Sequence, residues 1–401
     1  MRFRYKCHEC GWESESDRIE YLCPVCGGSE KEGEFRKGIL SVIYDEEDIG
    51  KLRDKKDLSV YDFLPYSIAN PAWFPCGPTS VVHSRRIREK YGRKVSFKMD
   101  SQLLSGSFKD RASLLVANQA LHFNENRIAL ASTGNAGAAM SAIGAAYGLD
   151  IILFVPYTAP ANKLMQSVLY GAHVVPVKGT YDDAFALSLE YTREKGGINR
   201  NTAYNPMTIE GKKACSIELF LQLGRKAPDT VYVPTGDGCI LGGIYKGFYD
   251  LVQAGLIDKL PRLVCCQSSR SDAIAKAFET GEYRNVSATT IADSISVSSP
   301  ANGRMAVRAI KESGGWATVV TDEDILAAQR ELAALSGLFV EPASAAAYAA
   351  FIKDSSRLDK AEEVTVLLTG TGFKDMAVFD GKITLPSAIE NDKAEIRKLP
   401  F

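Results

Sequence analysis

The chain has 401 residues, 45% hydrophobic and 24% charged, with a formal net charge of −1. That length allows a large buried core and about two or three domains, and that hydrophobicity excludes a disordered chain. The charge balance leaves no electrostatic footprint for nucleic acid or an anionic membrane.

Taken in chain order, the opening Met1–Cys7 lacks the apolar core of a secretion signal, so a cytoplasmic location is expected. Cys7 and Cys10 form one C-x2-C knuckle, and Cys23 and Cys26 form a second. Each knuckle points two thiolates at one point, and two knuckles complete the four-sulfur tetrahedron that structural Zn2+ prefers. Two disulfides or free thiols would account for the same cysteines, but a chain without a secretion signal and these spacings favour the metal. Four protein ligands leave no open position, so catalysis by this metal is not expected. The ribbon is read as residues 1–36, and the polar run Tyr44–Lys56 as a linker or surface helix. The basic cluster Arg85–Lys90 reads as a solvated helix face.

Beyond it, short apolar strands alternate with glycine turns and helical periods, which means an α/β fold with largely parallel sheets. Strands are expected at Arg127–Ala131, Ile151–Val155, His173–Val177, Thr230–Pro234 and Val364–Leu368. Helices are expected at Asn135–Tyr147, at Asn162–Tyr170 and from the glycine loop after Pro234 through Tyr249. The most apolar stretch, Ala138–Val155, contains Asp150 and reads as a buried helix plus strand, not a membrane span. The four histidines, His8, His83, His122 and His173, have neither triad nor metal spacing. Of the five remaining cysteines, Cys265 and Cys266 sit in an apolar run and read as buried strand residues.

Four segments carry possible chemistry. In Ser105–Arg111, Lys109 follows Phe108 among small residues, a setting that desolvates an amine and frees it as a nucleophile. In Ser132-Thr133-Gly134-Asn135-Ala136-Gly137, hydroxyls, an amide and helix N-terminal N–H groups converge, which suits a carboxylate or phosphate or an ordinary helix cap. The loop Pro234–Gly243 follows a strand and opens a helix, so its free N–H groups suit a small phosphate. Thr369 ends the late strand, where ligands sit in open α/β sheets. One cofactor uses all four: pyridoxal 5′-phosphate needs a lysine, a phosphate cradle, a partner for its ring nitrogen and a clamp for the substrate carboxylate.

Together these segments resemble fold-type II pyridoxal-phosphate enzymes, and most closely the threonine synthase family. Ser105–Arg111 is similar to that family's lysine segment, and Ala131–Asn135 to its asparagine loop. Glu341–Ala347 and Leu368–Asp375 resemble its late motifs, and Asn205-Pro206 with Glu210-Gly211-Lys212-Lys213 a further one. Some members carry an N-terminal zinc ribbon. The resemblance implies that Lys109 bonds the cofactor as a Schiff base and then shuttles protons. It implies that Asn135 meets the 3′ oxygen, that Gly236, Asp237, Gly238, Cys239 and Ile240 bind the phosphate, and that Thr369 meets the ring nitrogen. Ser107, Ser132 and Thr133, with Ala136 and Thr208, would line the substrate site. It also implies a large cofactor-binding domain (37–125 and 206–401), a small mobile domain (126–205), a small amino-acid substrate and a homodimer.

The departures concern the substrate's phosphate. The family's arginine two residues before the glutamate of E-G-Q-K is Thr208 here, its asparagine-serine pair is Thr202-Ala203, and its threonine after the loop asparagine is Ala136. Losing a bidentate arginine removes the strongest kind of phosphate contact. Leu103-Leu104 also replaces the asparagine-proline before the lysine segment, and Asp237 stands in the phosphate loop, where its carboxylate is expected to point away from the cofactor. The expectation is therefore retained cofactor chemistry with a changed leaving group, on an amino acid substituted at Cβ or Cγ. Arg111, Lys163 or Lys212 would supply any new anion grip, or else serve as surface or supporting residues. The other readings are a true threonine synthase, an ammonia-lyase of the serine or threonine dehydratase kind, a β-replacement synthase, and a catalytically silent regulator.

Overall fold

The computed structural model describes residues 1–14, 18–69, 76–383 and 386–399. The N-terminal ribbon is built on two antiparallel strands, β1 (Phe3–Cys7) and β2 (Leu40–Tyr44). The partner strand thus lies beyond residue 36, because the first knuckle's strand needs a neighbour for its backbone groups. After β2 the polar run forms a short helix, Glu46–Gly50, and a 3-10 turn.

Strands β3 (Val81–His83) and β4 (Lys94–Met99) come next and pair antiparallel. β5 (Arg127–Ala131), β6 (Asp150–Pro156), β7 (His173–Val177) and β8 (Ile198–Asn199) form a parallel sheet in the order β7-β6-β5-β8. β9 (Thr230–Pro234), β10 (Arg262–Ser268), β11 (Trp316–Val320) and β12 (Glu363–Leu368) join β3 and β4 in the second sheet, ordered β11-β10-β9-β12-β4-β3. Its central strands are buried on both faces, which is why β9 and β10 read as continuous apolar runs rather than alternating ones. Cys265 and Cys266 are both fully buried within β10.

Helices cover the sheets, and three of them bring the chemistry together. They are Lys109–His122, Met207–Gln222 and Cys239–Gln253. Their close approach depends on small residues: a Cβ on Gly243 would lie 2.4 Å from Lys212 Cβ. The ribbon is docked on this body through Phe35, buried against Gly303, and through Tyr21, whose ring stacks on Tyr204 at 4.7 Å. No helix among the described residues is long and apolar enough to cross a membrane.

Candidate active site

Three strand ends and three helix starts meet at one cleft, where a parallel sheet leaves unpaired backbone donors. Lys109 opens its helix directly after Phe108, whose N–H donates to the Thr369 carbonyl at 2.7 Å. Thr371 N–H donates to the Gly106 carbonyl at 3.1 Å, so the lysine segment and the end of β12 are stitched together. Lys109 stays partly open to the cleft, yet desolvation lowers its pKa, opposed by the nearby carboxylates of Glu341 and Asp237. A lowered ammonium pKa keeps more of the amine in its nucleophilic form.

Asn135 begins the helix after β5. Its Nδ2 donates to Glu341 Oε2 at 3.0 Å and to Ser294 Oγ at 3.1 Å, which fixes the amide's orientation. Ser132 Oγ accepts from the N–H groups of Gly134 (3.2 Å) and Gly137 (3.0 Å), so this hydroxyl caps the helix and keeps only its own O–H to donate. Thr133 and Ala136 flank it, partly exposed. Ser107 is buried beside Gly370, with which it forms a β-bridge. Ser344 Oγ accepts from the N–H groups of Thr369 and Gly370, both at 2.9 Å, and lies 3.1 Å from Thr369 Oγ1. The hydroxyl of Thr369 is thereby held at the end of β12.

The loop after β9 has the shape of a phosphate cradle. Gly238 takes a left-handed φ of 83°, and a Cβ there would lie 2.7 Å from the Asn302 carbonyl oxygen. The N–H groups that open the helix at Cys239 and Ile240 have no intrahelical carbonyl. Gly236 packs against Ile295. Asp237 Oδ1 accepts from Ala301 N–H at 3.4 Å, and burial raises its pKa. The Cys239 thiol is pushed up to about 12 by burial and takes no part as a thiolate. The lysine, the oriented amide, the hydroxyl at β12 and this cradle fit pyridoxal phosphate.

The three cations considered for an anion grip separate clearly. Arg111 faces away into a buried network with Asp100 (2.6 Å) and Glu218 (2.9 Å). Lys163 is a surface partner of Asp293 at 2.9 Å. Lys212 is fully buried and donates only to the Thr208 carbonyl, at 2.6 Å. Thr208 itself is buried, its hydroxyl donating to the Asn205 carbonyl at 2.8 Å and accepting from Ala203 N–H at 3.3 Å.

The roles of Glu341, Ser344 and Arg200 are not visible in the sequence. Glu341 and Ser344 lay in a recognised motif, but their contacts cross 206 and 25 positions of sequence. Arg200 follows a two-residue strand, too short to show any periodicity.

Away from the cleft, the ligand sulfurs of Cys7, Cys10, Cys23 and Cys26 all lie within 4.8 Å of one another. The Cys7–Cys26 and Cys10–Cys23 sulfur pairs are each 3.4 Å apart, close to the edges of a four-thiolate tetrahedron around a Zn2+ ion.

Comparison with known proteins agrees with this geometry. Residues 73–370 match the family described as pyridoxal-phosphate dependent enzyme. The chain is 34% identical to a threonine synthase of Methanosarcina acetivorans, covering 100% of this chain and 99% of that one. It is 33% identical to a threonine synthase of Methanocaldococcus jannaschii, covering 98% of each. Among solved structures, maize serine racemase superposes with a TM-score of 0.65 at 22% identity, covering 76% of this chain and 91% of that one. A fungal L-serine ammonia-lyase from Rhizomucor miehei also gives 0.65 at 22% identity, covering 76% and 96%.

Proposed function

Because the chain belongs to the threonine synthase family of pyridoxal-phosphate-dependent lyases, we propose that it eliminates or replaces a leaving group at Cβ or Cγ of a small amino acid. The observation that carries this is the convergence on Lys109 of the Asn135 amide, held by Glu341, the Thr369 hydroxyl, held by Ser344, and the Gly236–Ile240 cradle. When bound, pyridoxal phosphate supplies an electron sink for the bonds at the substrate's Cα.

The chain's own residues do the rest. Lys109 Nζ would hold the cofactor, and the same amine would move protons at the substrate's Cα and Cβ. The Asn135 amide would exchange its bond to Ser294 or Glu341 for one to the 3′ oxygen, and the first N–H groups of the Cys239–Gln253 helix would hold the cofactor's phosphate. Thr369 offers the ring nitrogen a hydroxyl, which does not hold it firmly protonated as a carboxylate would. That weaker sink suits elimination and replacement over chemistry needing a long-lived carbanion. Ser107, Ser132 and Thr133 hold the substrate carboxylate at the start of the Asn135–Tyr147 helix, where the dipole favours an anion.

The same reading assigns structural Zn2+ to the four cysteines, residues 37–125 and 206–401 to a cofactor-binding domain and 126–205 to a mobile one. It also assigns a cytoplasmic homodimer. The ion serves the ribbon's fold, since four protein sulfurs close its coordination.

The test is spectroscopic. Protein produced with pyridoxal phosphate available is expected to show the visible band of the lysine-linked cofactor, and Lys109→Ala is expected to lose it together with about 10³-fold or more of activity. A band that survives Lys109→Ala refutes the assignment. O-phosphohomoserine, O-phosphoserine, serine and threonine are then offered separately, with phosphate, ketoacid and amino-acid products followed.

A further inference from the structure

Arg200 stands directly after β8, at the carboxyl end of the sheet that also delivers the Asn135 loop. Its N–H donates to the Ala129 carbonyl at 2.8 Å, and the neighbouring Asn201 Oδ1 accepts from Ala131 N–H at 2.7 Å. The guanidinium is fully buried. Its Nε donates to Ser113 Oγ at 3.4 Å and its Nη1 to Thr202 Oγ1 at 2.8 Å. Its Nη2 is buried with no partner. Ser113 lies one turn beyond Lys109 on the same helix face, so the guanidinium sits alongside the lysine.

Lys212 comes from the Met207–Gln222 helix and lies near enough to Arg200 and Lys109 to feel their charges. Its Cβ packs on Gly243 in the first turns of the phosphate-loop helix, and its ammonium has only the Thr208 carbonyl. Among the described residues neither cation has an ion-pair partner within 4 Å. Burial lowers both, Arg200 to about 10 and Lys212 to about 7, and the charge of Arg200 further lowers Lys212 and Lys109. Two unpaired buried cations are costly unless an anion arrives to meet them.

Resting on the function proposed above, we infer that Arg200 and Lys212 grip a phosphate-class dianion on the side chain of the amino-acid substrate. The cofactor's own phosphate already has the loop's N–H groups, which leaves the two cations for a second anion. The structure also shows why the usual positions do not serve. Thr208 spends its hydroxyl on Asn205 and Ala203, and Ala203 has no side-chain donor and a left-handed φ of 62°. The arginine that the resemblance places at position 208 is thus replaced by one at position 200, moved from a helix start to a strand end, with Lys212 as its second charge. A phosphorylated substrate is retained, and it is the grip that has changed.

The test uses the holoenzyme and inorganic phosphate, with binding read by calorimetry and by perturbation of the cofactor band. Arg200→Met and Lys212→Gln are each expected to weaken phosphate binding about 10-fold or more, while the apoenzyme's affinity for pyridoxal phosphate stays within about threefold. Arg200→Lys, which keeps the charge, is expected to bind phosphate more tightly than Arg200→Met. With an O-phospho amino acid, the loss is expected mainly in KM. Phosphate affinity unchanged in both variants overturns the inference, as does wild-type protein with no saturable phosphate site. Cofactor affinity falling in step with phosphate affinity also overturns it, because the pair then serves the cofactor. Should the wild type lack the cofactor band, the functional reading fails, while calorimetry still decides whether these residues hold phosphate.

Discussion

Two pairs of buried cations sit in the same three-helix neighbourhood and are treated in opposite ways. Arg111 and Lys98 are enclosed by carboxylates: Arg111 bonds both oxygens of Asp100 and both of Glu218, and Lys98 reaches Glu218, Gln222 and the Thr79 carbonyl. Despite burial, which pushes its carboxyl up, Glu218 is held down at about 2 by Arg111 and Lys98. Arg200 and Lys212 are as deeply buried and have only neutral oxygens for partners. Burial alone therefore does not mark a binding residue. A closed network is architecture, and an open one has kept its charge for something else.

Several substitutions break or sharpen this contrast. The largest effect is expected at Glu218→Ala, which leaves Arg111 and Lys98 with Asp100 as the one remaining carboxylate of the network. Chemical denaturation is expected to show a loss of about 3–5 kcal/mol, and a loss below about 1 kcal/mol would mean the network is not structural. The next effect is pH-dependent. Lys212 has a folded pKa of about 7 against an ordinary 10.5, so between those values the unfolded chain holds a proton that the folded chain lacks. Its contribution to stability therefore rises with pH across that window, by up to about 1.4 kcal/mol per unit. The groups facing Lys212 are Cys239, Arg200, Lys109 and Asp237. Comparing the apoenzyme with Lys212→Gln isolates the lysine, and identical slopes would show that it is not buried as a free cation. Sulfate, which does not titrate here, is expected to bind the holoenzyme less tightly as pH rises through about 7.

A smaller effect is expected from Arg200→Met. Removing an unpaired buried charge should shift stability by less than about 1 kcal/mol, or raise it, even as phosphate binding falls. A loss as large as that of Glu218→Ala would place Arg200 with the architectural cations. The smallest effect on phosphate binding is expected at the ribbon. Tyr21 OH accepts the Asn199 N–H at 2.9 Å, one residue before Arg200. Tyr21→Phe should cost about 0.5–1.5 kcal/mol and weaken phosphate binding about threefold through the position of that strand end. Unchanged phosphate affinity would show that the ribbon does not steady the grip.

Much of this was legible in the chain. β5 and β7 have the bounds their apolar runs suggested, and β6 extends one residue further at each end. The lysine segment, the asparagine loop, the glycine loop and Thr369 do meet at one cleft, because each follows the carboxyl end of a strand, β5 in one sheet and β4, β9 and β12 in the other, and Asn135 bonds Glu341 between them. β2 and β8 were not legible. The first is paired only through a distant cysteine knuckle, and the second is two residues long. As letters Arg111, Lys163 and Lys212 are equivalent, three cations that nothing local in the sequence separates.

The sequence by itself determined the inventory: a lysine after a phenylalanine, glycines where a phosphate needs bare backbone, four cysteines in two knuckles, and no arginine at position 208. Only the tertiary structure decided which cations are satisfied. Arg111 meets Glu218 across 107 positions of chain, and Lys98 meets it across 120. Whether a buried charge is neutralised depends on partners within about 4 Å and on the water removed around it, and no local pattern carries either.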